Sequence, residues 1–224
     1  EWVNVKKAQP LYEGHEQPRV PLNENYYNLL DPNVQVWQAK IAKEYGVYGF
    51  CYYHYWFNGK RLMDRPVKEI LASGQPDFPF MLCWANENWS RNWDGKFRNI
   101  LIEQHYSEED DIEHMRYLCS KVFQDTRYIR IDGKPVFAIY RSNFFPNMKH
   151  TIDVWRKVAK EEYGIELYLI RVENEPDFGP KYLDCGFDSA MDFQPLLMGE
   201  FNAWWKNLPF RIMNHLFKGK YQWF

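Results

Sequence analysis

Short apolar runs alternate along the chain with stretches of helical spacing. Asp31-Pro32 offers an N-cap followed by proline at the first helical position. Val34, Trp37 and Ile41 follow on one helical face, and Gly46 closes the pattern. Residues 47–53, apolar and aromatic after that glycine, predict a buried strand. The pattern then repeats with a helix over 66–73 ended by Gly74 and a strand over 78–84. Ser107 opens a further helix, with acidic residues that suit the positive end of its dipole. Ile112, Met115, Leu118, Cys119 and Val122 form its apolar stripe. Asp132-Gly133 is a turn before a strand over 134–140, and Ile152, Trp155, Val158 and Ala159 mark a helix ending near Gly164. A strand over 166–172, a helix over 180–185 and a strand over 187–193 complete the series. Residues 1–30, broken by Pro10, Gly14, Pro18 and Pro21, read as loop.

Strands alternating with helices about five times predict an α/β fold with a parallel sheet and right-handed crossovers. No glycine-rich dinucleotide fingerprint or P-loop occurs, which disfavours a nucleotide-binding doubly wound sheet. A (β/α)8 TIM-type barrel usually takes about 250 residues. The 224 residues here read as a single catalytic-type barrel domain over 1–224, truncated at its ends.

Composition narrows the function. Apolar residues make up 46% and the net charge is −2, so the chain can build a core and carries no basic excess for nucleic acid. Cys51, Cys83, Cys119 and Cys185 form no C-x-x-C pair, and the first two lie in apolar runs. That favours a reducing compartment over a disulfide framework, hence a cytoplasmic protein. No apolar run approaches the roughly 20 residues of a membrane span, and no signal peptide is visible, although the chain opens at Glu1 rather than Met. Residues 210–224 set Arg211, His215, Lys218 and Lys220 among aromatic and aliphatic side chains. They suit a peripheral helix of the same domain, with contact to a membrane surface as the alternative. No zinc, calcium-loop or nucleophile-elbow spacing occurs, so no metal and no cofactor are expected.

The candidate chemistry centres on residues 83–95. This segment holds Trp84, Asn86, Glu87, Asn88, Trp89, Arg91, Asn92, Trp93 and Asp94. Broad rings cover the apolar C–H faces of a sugar, while amides and a carboxylate take its hydroxyls. In a barrel, residues just past each strand's C-terminal end face the active site. Those positions supply Tyr53, His54, Tyr55 and Trp56, then Asn86, Glu87, Asn88 and Trp89, then Tyr140 and Arg141. Glu173, Asn174 and Glu175 follow, then Asp192 and Gln194. Carboxylates, amides and aromatics gathered on one face fit glycosidic-bond chemistry, with Glu87 as candidate catalytic carboxyl and the others binding an oligosaccharide or polysaccharide. Each position also has a plainer reading: Glu87 paired with Arg91, His54 satisfied in the core, Glu173 a solvated loop charge, Asp192 a turn cap.

The segments Glu1-Trp2-Val3-Asn4-Val5, Gly49 through Phe57, and Cys83-Trp84-Ala85-Asn86-Glu87-Asn88-Trp89 resemble the WbsX-type glycosyltransferase family. Asp132-Gly133-Lys134-Pro135 and the stretch from Gly186-Phe187-Asp188 to Phe193-Gln194-Pro195 also match its pattern. The resemblance implies bacterial lipopolysaccharide or surface-polysaccharide synthesis, on a barrel like that of endo-α-mannosidase-type glycoside hydrolases. Glycoside hydrolysis and non-catalytic glycan binding are the alternatives. Family members usually begin with a strand of type F-Y-L-P-Q-F-H and end with one carrying N-E-W-A-E-G, whose two glutamates match the hydrolases' acid pair. No E-W-x-E occurs here, Val3 stands where Thr is common, and His54 where Tyr is common. The resemblance therefore implies that these residues hold the sugar-binding wall rather than the principal catalytic pair.

Overall fold

Local signals set the element boundaries. In the computed structural model, which describes residues 2–91, 96–173 and 181–193, helix α1 (Trp2–Lys7) precedes a short 3-10 turn at Leu22–Glu24. Helix α2 (Pro32–Glu44) starts at Asp31, whose side chain accepts from the Asn33 N–H. Strand β1 (Phe50–Phe57) turns back into β2 (Lys60–Leu62), and α3 (Arg65–Ser73) stops at Gly74, whose φ of 69° is the left-handed conformation that glycine adopts at no steric cost. Strand β3 (Phe80–Trp84) leads into a hairpin of β4 (Trp89–Arg91) and β5 (Lys96–Ile102). Ser107 caps α4 (Glu108–Tyr117) by accepting from Asp110 N–H, and a wider π turn, Leu118–Val122, extends that helix. After β6 (Arg130–Ile131), the Asp132-Gly133 turn brings the chain back along β7 (Lys134–Ile139). Helix α5 (Met148–Tyr163), β8 (Tyr168–Glu173), α6 (Lys181–Cys185) and β9 (Ser189–Asp192) follow.

The sheet order is β2-β1-β3-β7-β8-β9, with β6 on β7. β1, β3, β7, β8 and β9 pair in parallel, each with its neighbour, as expected for repeated βα units. The register aligns Leu82 with Phe137 and Phe137 with Leu169, which puts all three on one face. That face packs under α4 and α5, and Trp84, Phe137, Leu169, Met115, Leu118 and Trp155 are fully buried there. Each such side chain contributes about 1.5–3 kcal/mol through removal from water. The opposite face carries Tyr53, Cys83, Ala138, Ile170 and Met191 by the same alternation.

Three expectations need correction. Residues 2–7 are helical rather than loop, and Trp2 is anchored by its indole N–H on Tyr27 O at 2.6 Å. Helix α2 buries Gln35, Ala39 and Ala42, not the stripe of Val34, Trp37 and Ile41. The two small alanines pack near Phe50 and Phe78, and this close approach leaves Trp37 43% exposed. Strand β1 starts three residues later than predicted, at Phe50 rather than residue 47. The shift changes the reading of the site, because residues expected beyond the strand end lie inside it.

Candidate active site

At the C-terminal end of β3, Ala85 N–H donates to His54 O at 3.0 Å, and Tyr140 N–H donates to Trp84 O at 3.1 Å. The pairing of β3 with its two neighbours thus runs to its last residue, Trp84. Beyond it, Asn86 is fully buried and clasps the next strand. Its Nδ2 donates to Arg141 O at 2.8 Å, and its Oδ1 accepts from Arg141 N–H at 2.8 Å. Tyr106 completes the clasp by donating its hydroxyl to Asn86 O at 2.7 Å. A buried amide with every group satisfied fixes backbone position. Here it sets Glu87 opposite Arg141, and Arg141 Nε donates to Glu87 Oε1 at 2.7 Å. Arg141 also lies over the Tyr140 ring, 4.8 Å from its centroid.

A cleft of about 270 Å³ opens beside this pair, lined by Tyr53, Tyr55, Phe57, Ala85, Glu87, Asn88, Trp89, Ser90 and Tyr140. Trp89 stacks nearly parallel to Tyr55 at 5.3 Å and 9°, and to Phe57 at 6.4 Å and 8°. The start of β4, which carries Trp89, is held by Asn88, whose Oδ1 accepts from Gln104 N–H at 2.7 Å. Tyr53 meets Tyr140 edge to face at 6.0 Å. Burial, reinforced by Cys83 and Tyr140, pushes the Tyr53 phenol up to about 12, so it remains a hydrogen-bond donor at neutral pH. A flat aromatic wall, phenolic donors, an amide and an ion-paired carboxylate thus share one opening. Glu87 is the one carboxylate among its described lining residues.

The strand shift explains which expected residues reach the cleft. Side chains alternate along β1, so Tyr53, Tyr55 and Phe57 point into the cleft, while His54 and Trp56 point into the core. His54 Nε2 meets His114 Nε2 at 2.9 Å, and Trp56 donates its indole N–H to Asp110 Oδ1 at 2.9 Å. Trp84 is fully buried and donates to Trp56 O at 3.2 Å. His54, Trp56 and Trp84 are therefore core residues rather than sugar contacts, and Asn86 positions its neighbours. Glu87, Asn88, Trp89 and Tyr53 are in the cleft, with Arg141 held on Glu87. Glu173 pairs with Arg171 at 2.9 Å, and the register places Arg171 beside Ile139 on the helix-covered face. Asp192 lies opposite Glu173 on the neighbouring strand, so both fall on the face away from Tyr53. Trp93, Asp94, Asn174, Glu175, Gln194 and residues 210–224 lie outside the described residues. Phe57 and Ser90 were missed; counting by twos from Tyr53 would have found Phe57. Among the described residues, no group of three or more His, Cys, Asp or Glu could hold a metal ion. No described helix is long and apolar enough to cross a membrane.

The family pattern described as Glycosyltransferase WbsX matches residues 1–220. The chain belongs to the WbsX glycosyltransferase family. Two relatives, each described as uncharacterized protein WxcX and from two strains of Xanthomonas campestris pv. campestris, are 37% identical to the WbsX-family chain over 195 residues. The match covers 87% of this chain but 28% of theirs, so the chain spans well under half their length. Among solved structures, a glycoside hydrolase-like protein superposes with a TM-score of 0.57 at 16% identity, covering 84% of the WbsX-family chain and 57% of that protein. A GH99 endo-alpha-mannosidase from Bacteroides thetaiotaomicron gives a TM-score of 0.51 at 14% identity, covering 86% and 52%. At such identities the likeness is one of fold.

Proposed function

We propose that the cleft between β1 and the β3–β4 segment is the sugar-binding wall of an enzyme that makes glycosidic bonds in bacterial surface polysaccharide. The observation that carries this is the parallel stack of Trp89 on Tyr55 and Phe57 beside the Glu87–Arg141 pair. Stacked rings present a flat apolar wall to the C–H face of a pyranose, and Glu87, Asn88 and Tyr53 supply acceptors and donors at its edge. Glu87 Oε1 is engaged by Arg141, while Oε2 has no partner among the described residues and suits a sugar hydroxyl. Cleavage by paired carboxyls needs two groups at defined separation, roughly 5–5.5 Å for retention and 6.5–9.5 Å for inversion. The described lining supplies one, so Glu87 acts on this reading as a binding and orienting group.

The test titrates an oligosaccharide against wild type, Glu87→Gln and Trp89→Ala by calorimetry. Both substitutions should weaken binding at least tenfold, about 1.4 kcal/mol. Affinity unchanged by either would refute the assignment of the cleft. Hydrolysis is the second reading, favoured by the glycoside hydrolase-like fold. Full-length protein incubated with oligosaccharide decides between the two, since sugar released without a nucleotide-sugar donor rules out the transferase.

A further inference from the structure

Glu87 lies between two pinned neighbours, and the residues that pin them come from the connection between β5 and α4. Tyr106 donates its hydroxyl to Asn86 O at 2.7 Å and accepts from Asn86 Nδ2 at 3.0 Å. Gln104 donates its main-chain N–H to Asn88 Oδ1 at 2.7 Å. Residues 86 and 88 are thus tied to one short segment, 16 to 20 positions further along the chain. A residue has only two soft backbone torsions. With both neighbours tied, those of Glu87 are set from outside, and with them the direction of its side chain.

The gripping segment is itself firm. The Tyr106 ring packs on Phe145 at 4.4 Å and on Trp84 at 6.2 Å, against the main core. Gln104 is buried, and its Nε2 donates to His105 O at 3.0 Å. Ser107, the residue after Tyr106, caps α4. Burial, joined by the Glu87 and Asp111 charges, pushes the Tyr106 phenol above its ordinary value against the opposing Asn86 hydrogen bond. The hydroxyl therefore keeps its proton at neutral pH and donates to Asn86 O. Asn86 passes this hold to the partner of Glu87. It accepts from Arg141 N–H and donates to Arg141 O, each at 2.8 Å. Through one amide, Tyr106 thus reaches both ends of the 2.7 Å bond between Arg141 and Glu87. Charge-assisted bonds depend on alignment as well as distance, and a displacement of about 1 Å in a positioned group can cost about 100-fold in function. A phenylalanine at 106 would serve the packing on Phe145 and Trp84 equally well. The hydroxyl is the part that reaches the site.

We infer that Tyr106 is a positioning residue, which with Gln104 brackets residues 86–88 and sets the Glu87 carboxylate on Arg141. Tyr106 lies outside the cleft lining and acts through Asn86. Its consequence for sugar binding rests on the reading of the cleft given above, whereas the bracket itself does not.

The experiment uses full-length protein and two readouts. The first needs no sugar: the rate at which phenylglyoxal modifies Arg141, followed by peptide mass spectrometry. Tyr106→Phe keeps the ring and removes both hydrogen bonds, so Arg141 should react about fivefold faster or more. Ile152→Val, a core change on α5, should lower stability and leave that rate as in wild type. The second readout is calorimetry with a ladder of α-linked manno-oligosaccharides on wild type, Tyr106→Phe, Glu87→Gln and the double variant. Tyr106→Phe should weaken binding about tenfold in the wild-type background and less than about twofold in Glu87→Gln, because its effect runs through that carboxylate. An unchanged Arg141 rate overturns the inference, as does an equal rate increase in Ile152→Val. Equal weakening in both backgrounds overturns it too, since that marks general support of the fold. A faster Arg141 rate with no sugar binding, or with binding untouched by Glu87→Gln, upholds the bracket and refutes the cleft. If Tyr106→Phe fails to fold, Asn88→Ala, which releases the Gln104 hold alone, decides by the same Arg141 rate.

Discussion

Acid should loosen this fold through one buried contact, the pair His54 and His114. Their Nε2 atoms lie 2.9 Å apart, so one imidazole must donate and the other accept, and both are neutral. His114 Nδ1 is buried without a partner. The proton is therefore assigned to His114 Nε2, because a bare lone pair at Nδ1 costs less than a stranded N–H. Trp56 stacks on His114 at 4.5 Å and Trp84 meets it edge-on at 4.5 Å, leaving no acceptor for a second proton. Burial, aided by Arg61 and opposed by Asp64, holds His54 down at about 3, against 6.5 in the unfolded chain. His114 is depressed for the same reason, and its neighbour His54 adds to the effect. A depressed imidazole contributes stability that is complete above the unfolded value and is lost as pH falls towards the folded one. At about pH 5 the unfolded His54 is about 97% protonated and the folded one about 1%, which removes about 2 kcal/mol relative to neutral pH. The loss is about 25-fold in the folding constant, and His114 increases it.

Asp111 opposes this trend, because burial raises it to about 6 and its protonation favours the folded state over the same range. The comparison must therefore cancel it. Urea unfolding of wild type and of the double variant His54→Phe/His114→Phe, at about pH 7 and about pH 5, does so, since both proteins keep Asp111. Replacing both partners by apolar rings leaves no stranded polar group. The gap in stability should shift by about 2 kcal/mol or more in favour of the double variant on acidification. Parallel pH profiles for the two proteins would refute the account.

Asn86→Ala should remove the clasp on Arg141 and strand buried backbone groups, at a cost of about 1–3 kcal/mol by urea unfolding, together with weaker glycan binding. An unchanged midpoint would show that the clasp is dispensable. Trp155→Ala, at the meeting point of Trp84, Phe137 and Phe145, should cost about 3–5 kcal/mol by the same measurement. Thiol alkylation followed by peptide mass spectrometry should label exposed Cys51 well before buried Cys83 and Cys119, because burial pushes the Cys119 thiol up to about 12. Equal labelling rates would argue against the burial described.

Caps and glycines carried most of the legible fold. Asp31, Ser107, Gly74 and Gly164 each end or begin a helix as their chemistry predicts, because these signals act within a few residues. The face of α2 was not legible. Val34, Trp37 and Ile41 have the stronger apolar pattern, yet the tight fit against Phe50 and Phe78 selects Ala39 and Ala42. In β1 a three-residue displacement decided whether His54 and Trp56 counted as site or core. A strand made almost wholly of aromatic side chains gives no polar alternation to fix its start. Of residues 83–89, Ala85, Glu87, Asn88 and Trp89 line the cleft while Trp84 and Asn86 are buried, and the Glu87–Arg141 pair joins positions 54 apart and follows from parallel register alone.

The Asn86 clasp has an evolutionary corollary. It binds Arg141 through main-chain N–H and C=O, which every residue but proline at position 141 would offer equally. The joint between the two strand ends therefore does not depend on the side chains that flank it. Glu87, Asn88, Trp89, Ser90 and the side chain at position 141 can drift while the frame beneath them keeps its shape. A lineage changing the sugar it recognises would then be expected to alter these positions first and to retain asparagine at 86.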